Sequence, residues 1–101
     1  MNNDENANLY LIVGLGNPGA EYRRNRHNVG FMLLDRLAER LGLNFSRFEM
    51  KALVAKGEAQ GKRLILAKPR TYMNLSGQAV GALLRYYKVP HAHLMVAYDD
   101  V

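Results

Sequence analysis

The chain has 101 residues, of which 49% are hydrophobic and 23% are charged, a size that supports one modest core and therefore one domain. It contains no cysteine, which excludes a disulfide framework, a thiol nucleophile and a zinc site built on thiolates, and which agrees with a reducing, cytoplasmic location. Fourteen lysines and arginines outnumber nine acidic residues, so the formal charge of +5 favours a polyanionic partner without requiring one.

The first half of the chain predicts a polar tail, a strand and a helix. Residues 1–8 are polar, unlike a signal peptide, and are expected to form a disordered tail; no later apolar run reaches the length of a membrane span. Residues 9–15 form a short, almost wholly apolar run that stops in a Gly-Asn-Pro-Gly turn, as a strand buried on both faces does. Apolar residues then recur at helical spacing between Asn28, a plausible N-cap, and Gly42, which predicts a helix over 28–42.

The second half predicts a hairpin, a helix and a final strand. Residues 48–59 and 63–67 have the composition of two strands joined through Gln60-Gly61. Residues 75–88 carry a helical apolar face, and residues 94–98 form a last apolar strand. This order predicts one α/β domain with a mixed, mostly parallel sheet that is flanked by helices.

The predicted topology brings polar residues to one edge of the sheet. If both helices are ordinary crossovers, the strands at 9–15, 63–67 and 94–98 run parallel and the added hairpin strand runs antiparallel, so the three carboxyl ends share an edge. Open α/β sheets place their ligands at that edge. The residues expected there are Asn17 after the first strand, the Tyr72-Met73-Asn74 turn after the second, Asp99 at the end of the third, and His27 just before the first helix.

The glycines at the first strand end also fit a dinucleotide-binding loop. Gly14, Gly16 and Gly19 have the spacing G-x-G-x-x-G, but the helical period begins only at about Val29, later than that loop requires. Asp35 falls inside the predicted helix and does not end a second βαβ strand. We therefore expect no cofactor, and a nucleotide-binding α/β protein stays as an alternative that predicts thermal stabilisation by a nucleotide.

Four of the polar residues are suited to activating water. Imidazole is the side chain best matched to accept a proton near neutral pH, so His27 is the candidate general base. Asp99 could fix its tautomer and stabilise the imidazolium, and the amides of Asn17 and Asn74 could donate to a carbonyl oxygen that gains negative charge. Together they predict a site that needs neither a metal nor a covalent nucleophile.

Each of these residues has a simpler interpretation. Asn17 in Gly-Asn-Pro-Gly is more often a turn residue, and Asn74 could be only the N-cap of the second helix. Asp99 could be a solvated strand end or, with Asp100, half of a metal pair. His27 could be a surface histidine. The arginines before it most simply form a solvated face, with phosphate contact as the sharper alternative: Arg23, Arg24 and Arg26.

Three stretches of the sequence carry a resemblance to a known family. LIVGLGNPGAEYRRNRHNVGF, KPRTYMNLSGQAV and LMVAYDD, in that order and at suitable separations, resemble the bacterial peptidyl-tRNA hydrolases from Leu11 onward. The family cleaves the ester between a peptide and the 3′ ribose of tRNA. The resemblance implies that His27 is the catalytic base and Asp99 its orienting carboxylate, and that the substrate is bound by four residues: Asn17, Tyr22, Met73 and Asn74.

The chain departs from the family pattern in two ways. Asn25 stands where the family usually has threonine, and the family continues well beyond the Asp-Asp segment. We therefore expect residues 9–101 to be the N-terminal part of such a domain, truncated on its C-terminal side and weak or inactive alone. We expect a monomer that binds peptidyl-tRNA and no membrane, with adventitious association through an exposed sheet edge. A non-catalytic RNA-binding relative on the same fold, of the kind found among plant organellar splicing factors, is the alternative.

Overall fold

The computed structural model describes residues 6–16, 29–70 and 73–98, except for the side chains of residues 73 and 74. A 3₁₀ turn over His91–His93 precedes the last strand. In chain order the strands and helices are β1 (Leu9–Gly14), α1 (Val29–Leu41), β2 (Arg47–Glu49), β3 (Ala52–Ala59), β4 (Lys62–Pro69), α2 (Met73–Tyr87) and β5 (Leu94–Ala97). No helix within the described ranges is long and apolar enough to cross a membrane.

The strands form one mixed sheet in the order β2-β3-β4-β1-β5. β1 pairs in parallel with β4 on one side and with β5 on the other, whereas β3 is antiparallel to both β2 and β4. Four of the five strands therefore run in the same direction. The prediction of an α/β domain with a mixed, mostly parallel sheet is confirmed, as is the shared direction of the three strands that were expected to be parallel.

The prediction of one long strand over 48–59 is wrong. A two-residue turn at Met50 and Lys51 divides it, and Glu49 pairs with Ala52 across the turn. Met50 and Lys51 have φ values of 51° and 62°, the left-handed conformation that a two-residue hairpin of type I′ requires. Because neither residue type favours positive φ, the local sequence carries no signal for this turn.

The sheet is covered on both faces. Alternate residues of β1, Leu9, Leu11 and Val13, are buried in one cluster with Leu83 of α2. On the opposite face, Leu34 and Ala38 of α1 are buried with Ala55 and Leu66. Since successive side chains of a strand point to opposite faces, α1 and α2 lie on opposite sides of the sheet.

Both helices end in a left-handed residue. At the end of α1, Gly42 has a φ of 71°, its N–H donates to the Glu39 carbonyl at 3.2 Å, and the Leu43 N–H donates to Ala38 at 2.9 Å. This pair of hydrogen bonds is a Schellman motif, and it confirms the predicted stop at Gly42. Lys88, with a φ of 57°, takes the equivalent position after α2.

The outer strand β5 exposes apolar side chains. β5 is an edge strand and, within the described part of the chain, pairs only with β1. Three large apolar side chains at this edge are exposed: Met95, Val96 and Tyr98. An open edge with apolar side chains is a surface on which further chain or another molecule can pair.

Candidate active site

The carboxyl ends of the parallel strands meet at one edge of the sheet. Gly14 of β1 is in register with Ala97 of β5, and Val13 is in register with Ala67 of β4. The connection continues one residue further, because the Leu15 N–H donates to the Ala97 carbonyl at 2.9 Å. The edge that was expected to carry the site, which we call the carboxyl edge, is therefore present in the structure.

Two glycines bring the start of α1 onto this edge. A Cβ atom on Gly30 would overlap the carbonyl oxygen of Leu15 and would lie 2.5 Å from that of Ala97. A Cβ atom on Gly14 would overlap the Gly30 carbonyl. The first turn of α1 can rest on the ends of β1 and β5 only because both positions lack side chains. Gly14, the first glycine of the G-x-G-x-x-G spacing, thus serves helix-on-strand packing.

The second helix also begins at the carboxyl edge. β4 ends at Pro69 and α2 begins at Met73, two residues earlier than predicted. Asn74 is therefore the second residue of the helix, and the simpler interpretation of Asn74 as an N-cap is wrong. The backbone of Met73 and Asn74 follows directly from the end of a strand adjacent to β1.

Most of the predicted site residues lie outside the described residues. This holds for Asn17, Tyr22, His27 and Asp99, and for the side chains of Met73 and Asn74. Their described neighbours in sequence belong to the elements that meet at the carboxyl edge: Gly16 after β1, Val29 at the start of α1, and Tyr98 after β5. Contacts among the predicted site residues stay predictions. Across the described ranges, no group of three or more histidine, aspartate or glutamate residues is arranged to hold a metal ion.

A groove near the same edge was missed by sequence reasoning. It lies between the Met50-Lys51 turn and α2 and has a volume of about 320 Å³. The turn is at the carboxyl edge, since Ala52, the residue after it, pairs with Pro69 at the end of β4. Its lining combines apolar, amide and basic side chains: Met50, Lys51, Leu75, Gln78, Ala82 and Arg85. The only sequence signal for this groove was the pair of basic residues Lys51 and Arg85. These two residues line one groove only because of the turn that the sequence did not predict.

Two histidines, His91 and His93, lie in the 3₁₀ turn, and His93 has a structural role. Nδ1 of His93 lies 2.9 Å from the Leu9 carbonyl oxygen at the start of β1. Because a carbonyl oxygen only accepts, Nδ1 carries the proton in this hydrogen bond. The ring also stacks on Tyr10, with centroids 4.2 Å apart and planes 12° from parallel. His93 therefore fastens the start of β5 to the start of β1, at the end of the sheet opposite the carboxyl edge.

Comparison with known proteins gives one consistent match. A sequence model described as peptidyl-tRNA hydrolase matches residues 11–101. The chain is 55% identical over 94 residues to the peptidyl-tRNA hydrolase of Chloroflexus aurantiacus (strain ATCC 29366 / DSM 635 / J-10-fl), with 92% of this chain and 50% of the relative covered. It is 49% identical over 92 residues to that of Thermoanaerobacter sp. (strain X514), with 91% and 50% covered.

A plant relative and a solved structure extend the match. The chain is 50% identical over 94 residues to a protein of Oryza sativa subsp. japonica named CRS2-like protein, chloroplastic, with 93% of this chain and 50% of that protein covered. The crystal structure of peptidyl-tRNA hydrolase from Acinetobacter baumannii superposes with a TM-score of 0.84 at 36% identity, covering 91% of this chain and 47% of that one. The chain thus spans about half the length of the relatives that it matches.

Proposed function

Because the chain belongs to the peptidyl-tRNA hydrolase family, we propose that it hydrolyses the ester between a peptide and the 3′ ribose of tRNA, which recycles the tRNA. The reaction needs a general base for water, a carboxylate that orients the base, and donors for the ester carbonyl. In the proposal these roles belong to His27, Asp99 and the amides of Asn17 and Asn74. The substrate is peptidyl-tRNA, and the chemistry uses neither a cofactor nor a metal.

The observation that supports this function is the convergence of four elements at the carboxyl edge. The ends of β1, β4 and β5 are adjacent, and the first turn of α1 packs on two of them. Each of the three sequence motifs shared with the family contains the end of one of these strands, and the first motif also contains the start of α1. The proposed base, His27, comes just before α1 in the sequence, and the proposed carboxylate, Asp99, comes just after β5. Because the first turn of α1 packs on the end of β5, the two segments join the fold at neighbouring positions, as a paired base and carboxylate require.

The proposed reaction is a single displacement by water. Neutral His27 takes a proton from water, and the hydroxide attacks the ester carbonyl carbon. The tetrahedral oxyanion that forms is stabilised by the amide donors, and it collapses as the bond to the 3′ oxygen breaks. That oxygen takes the proton from the imidazolium, or takes one from solvent while the imidazolium returns its proton to solvent, so free peptide and tRNA leave and His27 is again neutral. An ester has a better leaving group than an amide, so no covalent enzyme intermediate is required.

Selectivity for peptidyl over aminoacyl esters requires recognition of the first peptide bond. The amides of Asn17 and Asn74 can donate to and accept from a peptide group, and they are left unpaired when the substrate lacks that bond. Buried polar groups that lose their partner penalise the wrong substrate strongly. Tyr22 and Met73 supply an aromatic ring and a thioether that can pack on the terminal ribose, the base or the peptide.

A non-catalytic RNA-binding function is the second candidate. The rice protein that is 50% identical over 93% of this chain has a different name from the bacterial relatives. Similarity at this level therefore does not separate the two functions. The presence of both a histidine base and a matched carboxylate, His27 and Asp99, favours hydrolysis, because a protein that only binds RNA needs neither.

The decisive experiment is release of labelled peptide from peptidyl-tRNA by the purified 101-residue chain. We expect weak hydrolysis by a chain that spans about half the length of its relatives, and a further loss of roughly 10²–10⁴-fold in the His27→Ala variant, the contribution typical of a general base. His91→Ala is the matched control, since His91 is an exposed histidine outside the carboxyl edge. Equal activity in His27→Ala and wild type would contradict the assignment of the base. RNA binding by a wild-type chain without hydrolysis would favour the second candidate.

A further inference from the structure

The groove between the Met50-Lys51 turn and α2 has no part in the proposed chemistry. It runs along α2 from Leu75, the residue after Asn74, to Arg85, a distance of roughly 15 Å at the usual helical rise. One end of the groove therefore lies beside the predicted site, and the other end leads away from it. We propose that this groove binds the phosphate backbone of the single-stranded 3′ end of the RNA substrate, with Lys51 and Arg85 as the phosphate contacts.

The charge of the groove favours an anion. Lys51 and Arg85 are exposed, and none of the residues that line the groove is acidic. Within the described part of the chain, neither cation forms an ion pair. Glu49, the acidic residue of the adjacent β2 strand, is bound by the Tyr87 hydroxyl and lies 3.4 Å from the Arg47 guanidinium. The negative charge of Glu49 is therefore partly compensated by Arg47, so Glu49 attracts Lys51 and Arg85 less strongly.

The apolar part of the groove lining favours a ligand that has apolar surface as well as charge. Met50, Leu75 and Ala82 contribute apolar surface to the same lining as the two cations. The Arg85 guanidinium lies back along α2, since a Cβ on Gly81 would be 3.4 Å from its Nη1 atom. A nucleotide strand combines phosphates with flat, weakly polar bases, which suits a groove lined by two cations and by apolar side chains. A volume of about 320 Å³ lies at the lower end of ligand sites.

The backbone of the turn supplies an independent argument. Type I′ turns strongly favour Asn-Gly, because both central residues need positive φ. Met50 and Lys51 adopt φ values of 51° and 62°, and residues of these types are disfavoured there. Residues held in sparsely populated backbone conformations cluster at active sites and ligand-binding sites, although Gln60 and Lys88 of this chain share the conformation as turn and helix-end residues. Here Met50 and Lys51, whose side chains disfavour the positive φ values of this turn, both line the groove.

The inference rests on the proposed function for the identity of the RNA, and binding is its direct test. A fluorescent single-stranded RNA of six nucleotides is titrated with the full chain at several salt concentrations, followed by anisotropy. The double variant Lys51→Gln/Arg85→Gln should bind roughly tenfold more weakly, for two lost charge-assisted contacts. Loss of two phosphate contacts should also lower the slope of log affinity against log salt by about 1.4.

A second double variant removes the same charge elsewhere. Lys62→Gln/Arg36→Gln also replaces one lysine and one arginine, both exposed: Lys62 is at the start of β4, and Arg36 is on α1, across the sheet from the groove. We expect its affinity and salt slope to stay near wild type. The charge-preserving variant Lys51→Arg/Arg85→Lys should retain binding. Circular dichroism melting of each variant identifies any loss of fold.

Three results would overturn the inference. Equal weakening by both charge-removing variants would show that only net charge matters, and no weakening by the groove variant would exclude the two contacts. Displacement of the RNA by an N-acetylated dipeptide, lost in the groove variant, would assign the groove to the peptide. A hydrolysis assay on the wild-type chain separates this inference from the hydrolytic proposal: groove-dependent RNA binding without hydrolysis would leave the groove supported and the hydrolysis contradicted.

Discussion

The amino edge and the carboxyl edge of the sheet each contain a two-residue hairpin turn, but the side chains at the two edges differ in what they contact. At the amino edge, where β1 and β4 begin, polar side chains are engaged in structural hydrogen bonds. Asn8 donates to the Gly61 carbonyl at 3.0 Å and accepts from Arg63, and His93 bonds Leu9. Asn6, in the predicted tail, donates to the Lys88 carbonyl at 3.1 Å. These bonds fasten residues 6–8, the β3–β4 hairpin and the start of β5 to one another.

Each edge also carries one two-residue hairpin turn. At the amino edge the turn is Gln60-Gly61, with φ values of 53° and 80°, and glycine takes the second position without strain. At the carboxyl edge the same turn geometry is formed by Met50 and Lys51, which have no such advantage. The amino-edge turn thus has glycine at one of its two positions, and the carboxyl-edge turn has long side chains beside a groove at both. We interpret the amino edge as structural and the carboxyl edge as the functional side of the molecule.

The largest effect is expected from Asp99→Asn at the carboxyl edge. An amide in place of the carboxylate can hold the imidazole of His27 in the wrong tautomer and cannot stabilise the imidazolium. Hydrolysis of peptidyl-tRNA should fall by roughly a hundredfold or more, with little change in the thermal melting curve. Steady-state kinetics and circular dichroism test this together. An unchanged rate would remove Asp99 from the site.

A large loss of stability is expected from Gly30→Ala, which tests how the carboxyl edge is held together. The added Cβ would overlap the carbonyl of Leu15, and backbone atoms on both sides cannot give way cheaply. We expect the free energy of unfolding to fall by about 3 kcal/mol, measured by urea denaturation. Gly77→Ala in α2 is the control, because its Cβ would meet nothing within 4 Å. It should raise stability by about 0.5–1 kcal/mol. Equal effects would contradict the close approach.

His93→Ala is expected to have the opposite signature to a change at the carboxyl edge. It removes the hydrogen bond to Leu9 and the stacking on Tyr10, which should lower the free energy of unfolding by about 1–2 kcal/mol. The rate of hydrolysis below the melting temperature should be unchanged. His91→Ala, two residues away and exposed, should alter neither quantity. A kinetic defect in His93→Ala would end the assignment of the amino edge to structure alone.

A modest gain in stability is expected from exchanging the turn residues. Met50→Asn with Lys51→Gly places the favoured type I′ pair at the carboxyl edge and should stabilise the fold by about 1 kcal/mol. The same variant should bind the RNA oligonucleotide more weakly, because Lys51 is lost. Gln60→Asn gives the amino-edge turn the same pair and should leave RNA binding unchanged. A turn variant that gains stability and keeps full RNA affinity would contradict the functional interpretation of the groove.

Much of the fold was predictable because its signals are local. The apolar run of β1, the helical spacing of α1 and the stop at Gly42 each lie within one segment, and the structure confirms all three elements. The shared direction of β1, β4 and β5 followed from the two helical connections, α1 between β1 and β4 and α2 between β4 and β5. The predicted site residues followed from the same strand ends and from the three family motifs.

The features that sequence reasoning missed share one property, which is that no neighbouring residue signals the structure that forms there. Nothing near Met50 and Lys51 indicates a turn, and β2 turns back there to pair along β3, whose other side is paired with β4. α2 begins two residues early, at Met73, and this boundary displaced Asn74 from the predicted cap. The function of His93 depends on Leu9 and Tyr10, more than eighty residues earlier in the chain.

The sequence by itself determined the order of the elements, the parallel core of the sheet and the family motifs, because periodicity and turn residues act over short segments. Only the tertiary structure decided which side chains meet. It places Gly30 against the ends of β1 and β5, converts one predicted strand into a hairpin, and brings Lys51 and Arg85 to one groove. Such contacts depend on the packing of whole elements against each other, and no local pattern of residues encodes that packing.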